Sequence, residues 1–509
     1  MNLKKLKQKT KNMFSKYLYS LLLIGWFVTI PTFATNDKIQ PIKGTFINLA
    51  YQDVRNKYMD PQYFDNTDPD MWKAKVRELH DMGIEYLVFM AIANEGQSYY
   101  PSKIMPWIYD KKRESPVDAI MDEADRLKMK VFMSIGWAQN QDDDLRKPEI
   151  KQRQLDIMKE VASIYGHRPS FYGWYLPVED CLCPVFAEHA VKAVNELSER
   201  ARTLTPTKKI MISPYGIYES AFEDPAFEKQ LAKLKVDIIA YQDEVGCVRE
   251  PFPIPNLKKH WKLLRDIHQR LHIELWANCE SFTWEGATND RTSALIPAAF
   301  PRLLSQLAIA SQAPVDNIIS FSVCGIIDSP NTNYHLGQPV WSQKVYNDYK
   351  AWRKGDEYWS LFEASLMGRL KNTADTSMSS DRELFDGQLA EENMNDAHWV
   401  KFDKGYHEIV VDMKHQKDIQ KIFMRLLNYH PGNIGMPLKV YLYLSDQGDS
   451  YSLAAVKDAP YFPNTNHDAW IDGIFINQIN KNARYLKIAF NAPQPVYIDE
   501  IYINPSCEK

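Results

Sequence analysis

The chain has 509 residues, a formal net charge of −4, and 45% hydrophobic and 12% aromatic side chains. Such a length exceeds one ordinary core and calls for two or three domains, and with no basic excess the balance excludes a nucleic-acid surface. The 13 Trp and 28 Tyr leave flat amphipathic rings over for a ligand that stacks on aromatics, sugars being the common case.

In chain order, Lys4, Lys5, Lys7, Lys9, Lys11 and Lys16 precede an apolar run from Tyr17 to Ile30 that is too short to span a bilayer comfortably. Thr32 and Ala34 then place small residues at the −3 and −1 positions. This predicts an export signal over 1–34, cleaved after Ala34, with a periplasmic or secreted product and no stable membrane insertion afterwards. Six cysteines in an exported chain permit disulfides without forming a dense scaffold, and Cys181 or Cys183 is placed to reach Cys247 or Cys279. A Cys-x-Cys chelate at Cys181 and Cys183 has no histidine at ligand spacing, so neither a metal nor a cofactor is expected.

From Gly44 a unit repeats: a short apolar run, a loop, then an amphipathic helix. The runs are GTFINLAY, IEYLVFMAIA, KVFMSIGW, FYGWYLPVE, KIMISPYG, VDIIAYQDE, IELWANCE and NIISFSVCG. Near-continuous apolar strands alternating with helices imply parallel strands covered on the outside. Eight such units predict a (β/α)8 barrel over residues 40–356. A doubly wound open sheet is the alternative, and no glycine-rich phosphate turn follows the first strand to support it. The polar, small-residue stretch MGRLKNTADTSMSSD marks a linker over 357–380. Beyond it HEIVVDM, IFMRLLNY, LKVYLYLS, ARYLKIAF and VYIDEIYI alternate as short strands and predict a β-sandwich over 381–509.

A barrel gathers its chemistry at the C-terminal ends of its strands. Those positions carry Glu179 after strand four, Asp243 and Glu244 after strand six, and Glu280 after strand seven. Asn94, Trp137, Tyr175, Tyr215, Tyr241, Gln242, Glu244, Trp276 and Asn278 supply polar and aromatic groups for substrate. Acids on strands four and seven face each other across a barrel mouth, which suits two carboxyls flanking one glycosidic bond. Tyr175 and Trp174 beside Glu179 suggest a desolvated proton donor. Glu280 then becomes nucleophile or base, with Asp243 as a third member that either orients the pair or serves as base if the reaction inverts. No Gly-x-Ser-x-Gly elbow supports a serine hydrolase, and in the acidic run Gln141 to Glu149 the alternation of ligands lacks the closing-glutamate geometry of a calcium loop.

GWYLPVED, YQDEVG and LWANCESF resemble a family of exported glycosidase-like TIM barrels from gut-type Gram-negative bacteria, long catalogued as a domain of unknown function. The two glutamates are also similar to those of the broad superfamily of retaining glycosidases. That likeness implies Glu179 as proton donor and Glu280 as nucleophile. Val178 stands where that superfamily usually has the Asn that binds the sugar 2-hydroxyl, so retention and inversion both stay open. The tail, with its LFDG turn and terminal ARYLKIAF strand, resembles a discoidin-like (coagulation factor type C) jelly roll, which implies a module that commonly binds carbohydrate. Two functions follow: an exported glycoside hydrolase acting on an oligo- or polysaccharide, or a non-catalytic carbohydrate-binding protein on a barrel scaffold.

Overall fold

A computed structural model describes residues 38–49, 69–108, 113–136, 143–179, 182–247, 254–286, 292–332, 341–460 and 468–508. The predicted export signal, Trp137 and Cys181 lie outside the described residues. Strands β1 (Gly44–Ile47), β2 (Tyr86–Phe89), β3 (Lys130–Ser134), β4 (Phe171–Tyr175), β5 (Lys209–Ile212), β6 (Ile238–Gln242), β7 (Glu274–Glu280) and β8 (Asn317–Phe321) coincide with the eight apolar runs. They close into a barrel in the order β1-β8-β7-β6-β5-β4-β3-β2, with every neighbouring pair parallel.

The helices are α1 (Pro69–Asp81), α2 (Pro116–Leu127), α3 (Pro148–Tyr165), α4 (Glu188–Leu204), α5 (Pro225–Leu231), α6 (Ile254–Leu271), α7 (Phe300–Gln312), α8 (Trp341–Arg353) and α9 (Glu357–Leu366). Their starts follow from local chemistry. Ser115 caps α2 by accepting from the Asp118 amide, with Pro116 fitting the first turn. Asp224 caps α5 and Asp356 caps α9 in the same manner.

Side chains alternate across each strand, and this period of two decides what faces the bowl. Ile238, Ala240, Met211, Trp276 and Ile319 point into the barrel, whereas Ile239, Tyr241, Leu275, Ala277 and Cys279 pack against the helices. The interior is a filled core: Trp276 stands edge-on to Tyr86, 5.0 Å between ring centroids, and to Phe132 at 5.8 Å.

The C-terminal part holds β9 (Met378–Ser379), β10 (Val400–Phe402), β11 (Gly405–Ile419), β12 (Ile422–Tyr429), β13 (Lys439–Ser445), β14 (Ser452–Asp458), β15 (Ala469–Ile476), β16 (Lys481–Ala492) and β17 (Val496–Ile503). They form a five-stranded sheet, β9-β11-β16-β13-β14, and a four-stranded sheet, β10-β17-β12-β15. Ile409, Val411, Leu442 and Ile488 of the first share one core with Met424, Leu426, Ile474 and Ile498 of the second, as two sheets packed face to face require.

The stretch expected to be a linker, 357–380, is structured. Its first ten residues are α9, whose Trp359 and Phe362 are buried, and Met378–Ser379 pairs with β11. The polar composition that suggested a linker belongs to the short segment after the helix. Trp359 packs on Phe300 of α7 at 4.7 Å between centroids, and the Tyr358 hydroxyl donates to Asp472 of β15 at 3.2 Å. Phe423, Leu427, Ile471 and Tyr502 of the sandwich join the same apolar cluster as the barrel helices. Each buried ring there contributes on the order of 1.5–3 kcal/mol, so barrel and sandwich form one body over Lys38–Lys509.

Candidate active site

Glu280 ends β7. It shares a strand face with Trp276 and Asn278 and is only 3% exposed at the barrel mouth. Its Oε2 accepts the backbone N–H of Cys247 at 2.7 Å. Gly246 allows that approach, because a Cβ there would lie 2.3 Å from the Phe282 carbonyl and 3.2 Å from Glu280 Oε2. Burial foremost, then the charges of Asp243 and Glu244, push the Glu280 carboxyl well above its ordinary range.

Asp243 does not face the bowl. Being one residue past Gln242, it points outward, fully buried, and takes Nε2 of Gln306 at 2.6 Å and the N–H of Glu280 at 3.1 Å. Burial raises its carboxyl too, but these donors and the nearby Arg302 work against the rise. Asp243 is therefore the member of the pair that better tolerates charge, and Glu280 the one that keeps the proton. Of the two roles expected of Asp243, base and orienter of the pair, its full burial and its bond to the Glu280 N–H fit the second: it anchors the backbone of Glu280.

Glu179 lies four residues past β4 and is half-buried. Its Oε1 accepts Nε2 of Gln242 at 2.9 Å, and the same amide nitrogen donates to the Ser213 carbonyl at 3.0 Å. Gln242 thus stretches from the end of β6 toward the loop after β4. Beside it, in register, Asn278 donates to the Ser213 hydroxyl at 3.1 Å, and its buried Oδ1 has no hydrogen-bond partner among the described residues. Glu179 also lines a cavity of about 440 Å³ with Pro177, Val178, Arg146 and His189.

Three aromatic expectations are corrected, Tyr241 and Trp174 by strand parity and Trp276 by its depth in the barrel. Tyr241 faces α6, its hydroxyl 2.8 Å from Nε2 of His268, with no route to the bowl. Trp276 plugs the barrel below the mouth and donates to Glu274. Trp174, expected beside Glu179, is turned to the helices and bonds the Thr205 hydroxyl at 2.7 Å. Tyr175 does point inward, stacked edge-on to Phe46 at 5.2 Å, and forms part of the floor next to Glu179. Tyr215, 38% exposed, is an accessible ring on the loop after β5. Asn94 sits half-buried in a small hairpin after β2, paired with Gln97.

Glu244 is buried and bonds the Ile217 N–H at 2.7 Å, its backbone in the left-handed region at φ +56°. That strain, on the order of 1–3 kcal/mol, aims its carboxyl at the loop carrying Tyr218. Burial first, then Asp243, Glu244 and Glu280, hold the Tyr218 hydroxyl well above its usual range, so Tyr218 is a proton-bearing neighbour of the acids. Sequence reading missed it, and missed Ser213, Arg302 and Gln306. The last two carried a legible signal: Arg302 and Gln306 are four apart in FPRLLSQLAIASQ, an otherwise apolar helix buried nearly all round. Among the described residues no group of three or more His, Cys, Asp or Glu is arranged to hold a metal ion, and no helix is long and apolar enough to cross a membrane.

A family profile described as "Domain of unknown function (DUF4434)" matches residues 42–334, which span the eight barrel strands. No curated protein matches the chain. Among solved structures, a proposed alpha-L-fucosidase from Bacteroides thetaiotaomicron shares 18% identity, covering 62% of this chain and 94% of its own, with a TM-score of 0.48. An endo-1,4-beta-mannanase from Rhizomucor miehei shares 11%, covering 62% and 95%, at 0.39. Bacteroides uniformis beta-glucuronidase 2 shares 11%, covering 92% and 66%, at 0.38. At such values the likeness says nothing of chemistry, and the functional reading rests on the site itself.

Proposed function

We propose that this chain, which belongs to the DUF4434 family, is a glycoside hydrolase whose two working carboxyls are Glu280 and Glu179. The observation that carries the reading is their unlike settings at one barrel mouth. Glu280 is buried beside two further acids and favours its neutral form, while Glu179 is partly open to solvent and accepts from Gln242. Pairs of carboxyls with environments this different divide into acid and base.

The environments support roles opposite to those the family likeness implied. Glu280 donates its proton to the leaving glycosidic oxygen as the C–O bond breaks. Glu179 attacks the anomeric carbon or takes a proton from the water that does. Gln242 fixes Glu179, and the Cys247 N–H fixes Glu280. The sugar stacks on Tyr215 above the Tyr175 floor. We further read the N-terminus as an export signal and the C-terminal sandwich as discoidin-like, a reading supported by its two antiparallel sheets.

The test is turnover of a panel of plant, bacterial and host oligosaccharides by wild type and Glu280→Gln. The variant should lose activity by at least ~10³-fold while still binding the best substrate. In wild type, kcat/KM should fall on the alkaline side as Glu280 loses its proton. Equal turnover by both proteins on every active substrate refutes the assignment.

A further inference from the structure

We propose that Asp468 of the C-terminal sandwich is a positioning residue of the barrel's site, holding Arg302 so that its guanidinium clamps the backbone at Glu280 and just after it. The inference rests on the reading of Glu280 as a working carboxyl. Arg302, on α7, is wholly buried. Its Nη2 donates to the Glu280 carbonyl at 2.8 Å and to the Phe282 carbonyl at 2.7 Å. Those two acceptors bracket the turn by which β7 passes into the hairpin arm Phe282–Trp284.

A guanidinium in that position needs a countercharge. Asp468 supplies it from the other domain: its Oδ2 lies 3.5 Å from Nη1 of Arg302, and its Oδ1 accepts the Thr283 hydroxyl at 3.0 Å. Asp468 immediately precedes β15, the strand that packs on α7. One sandwich carboxylate therefore grips the barrel twice, through the cation behind Glu280 and through the arm just after it. Gln306, one turn further along α7, completes the brace by donating to the Glu280 carbonyl at 3.2 Å and to Asp243. A domain that only tethered the enzyme to a polysaccharide has no need of such a contact.

The brace has an electrical consequence with a definite sign. The titratable and charged groups close enough to act on Glu280 are Asp243 and Glu244 after β6, Tyr218 after β5, Cys279 on the other face of its own strand, and Arg302 from α7, with the Cys247 N–H bonded to its carboxyl. Arg302 favours the charged form of Glu280, and Asp468 partly cancels Arg302. Asp468→Asn leaves Arg302 less compensated, so the Glu280 titration should move down by roughly 0.5–1 pH unit. Arg302→Gln removes the cation and should move it up.

The experiment reads Glu280 without requiring turnover. The carboxyl infrared band is followed against pH in wild type, Asp468→Asn and Arg302→Gln, with Glu280→Gln used to isolate the band. Kinetics on the best substrate run in parallel. Opposite shifts in the two variants, with kcat down about tenfold in Asp468→Asn and KM little changed, support the proposal. An unmoved midpoint with unchanged kcat in Asp468→Asn overturns it, even if Glu280→Gln is inactive and the hydrolase reading stands. Opposite shifts with no turnover by any of the proteins keep the positioning role and sink the hydrolase reading. Should Arg302→Gln not fold, Asp468→Asn, nearly the same shape as the native residue, decides alone.

Discussion

Replacing Gln306 by Leu probes the anchor beneath Glu280. The substitution removes a 2.6 Å charge-assisted bond to Asp243 and a 3.2 Å bond to the Glu280 carbonyl. The first is worth ~1.5–3 kcal/mol and the second ~1 kcal/mol. Against this, leucine relieves the buried Gln306 Oε1, which has no partner among the described residues, a gain of ~1 kcal/mol. The net loss is about 1.5–3 kcal/mol when Asp243 is charged. Burial raises the Asp243 carboxyl and the Gln306 amide opposes that rise. A carboxyl raised on folding makes stability fall as pH climbs from its unfolded value through its folded one. Losing the amide deepens the fall, so the variant's deficit should be larger at pH 8 than at pH 5. The assay is urea denaturation of wild type, Gln306→Leu, Asp243→Asn and the double variant at both pH values. In the Asp243→Asn background the loss should shrink to about 1 kcal/mol and lose its pH dependence. A loss below ~0.5 kcal/mol at both pH values, or one unaffected by Asp243→Asn, would refute the anchor.

Gly246→Ala forces a Cβ to within 2.3 Å of the Phe282 carbonyl; we expect kcat to drop by roughly 10–100-fold through displacement of the Cys247 N–H from Glu280, measured by steady-state kinetics. Tyr241→Phe should leave kcat and KM unchanged and cost about 1 kcal/mol in denaturation, because its hydroxyl donates to His268 and not to substrate. Burial lowers His268 from 6.5 to about 4. The unfolded chain therefore binds the extra proton between those values, and stability should decline by up to roughly 3 kcal/mol on acidification through that window. His268→Gln should flatten that part of the stability–pH curve.

Eight strand positions were legible in the sequence because buried parallel strands read as unbroken apolar runs between capped helices. The same property hid the orientation of the strand ends. In YQDE the polar and aromatic letters look alike as site candidates, yet parity sends Gln242 and Glu244 inward and Tyr241 and Asp243 outward. Counting by twos from Ala240 would have separated them. The aromatics were over-assigned to substrate for a related reason: a barrel interior must be filled, and Trp276 and Tyr86 fill it. Strand β15, AWIDGIFI, was missed because Asp472 and Gly473 interrupt its apolar pattern. The link from Asp468 to Arg302 spans 166 positions and two domains, a separation at which no local pattern speaks.

The account stands on Glu179 and Glu280 serving one bond-breaking event, and a kinetic cycle measures that directly. With Glu179→Gln, Glu280→Gln and the double variant assayed on the best substrate, each single change should cost at least ~10³ in kcat and the double should cost little more. Losses that multiply in the double variant, or a single variant that retains wild-type turnover, would show that the two carboxyls do not act together.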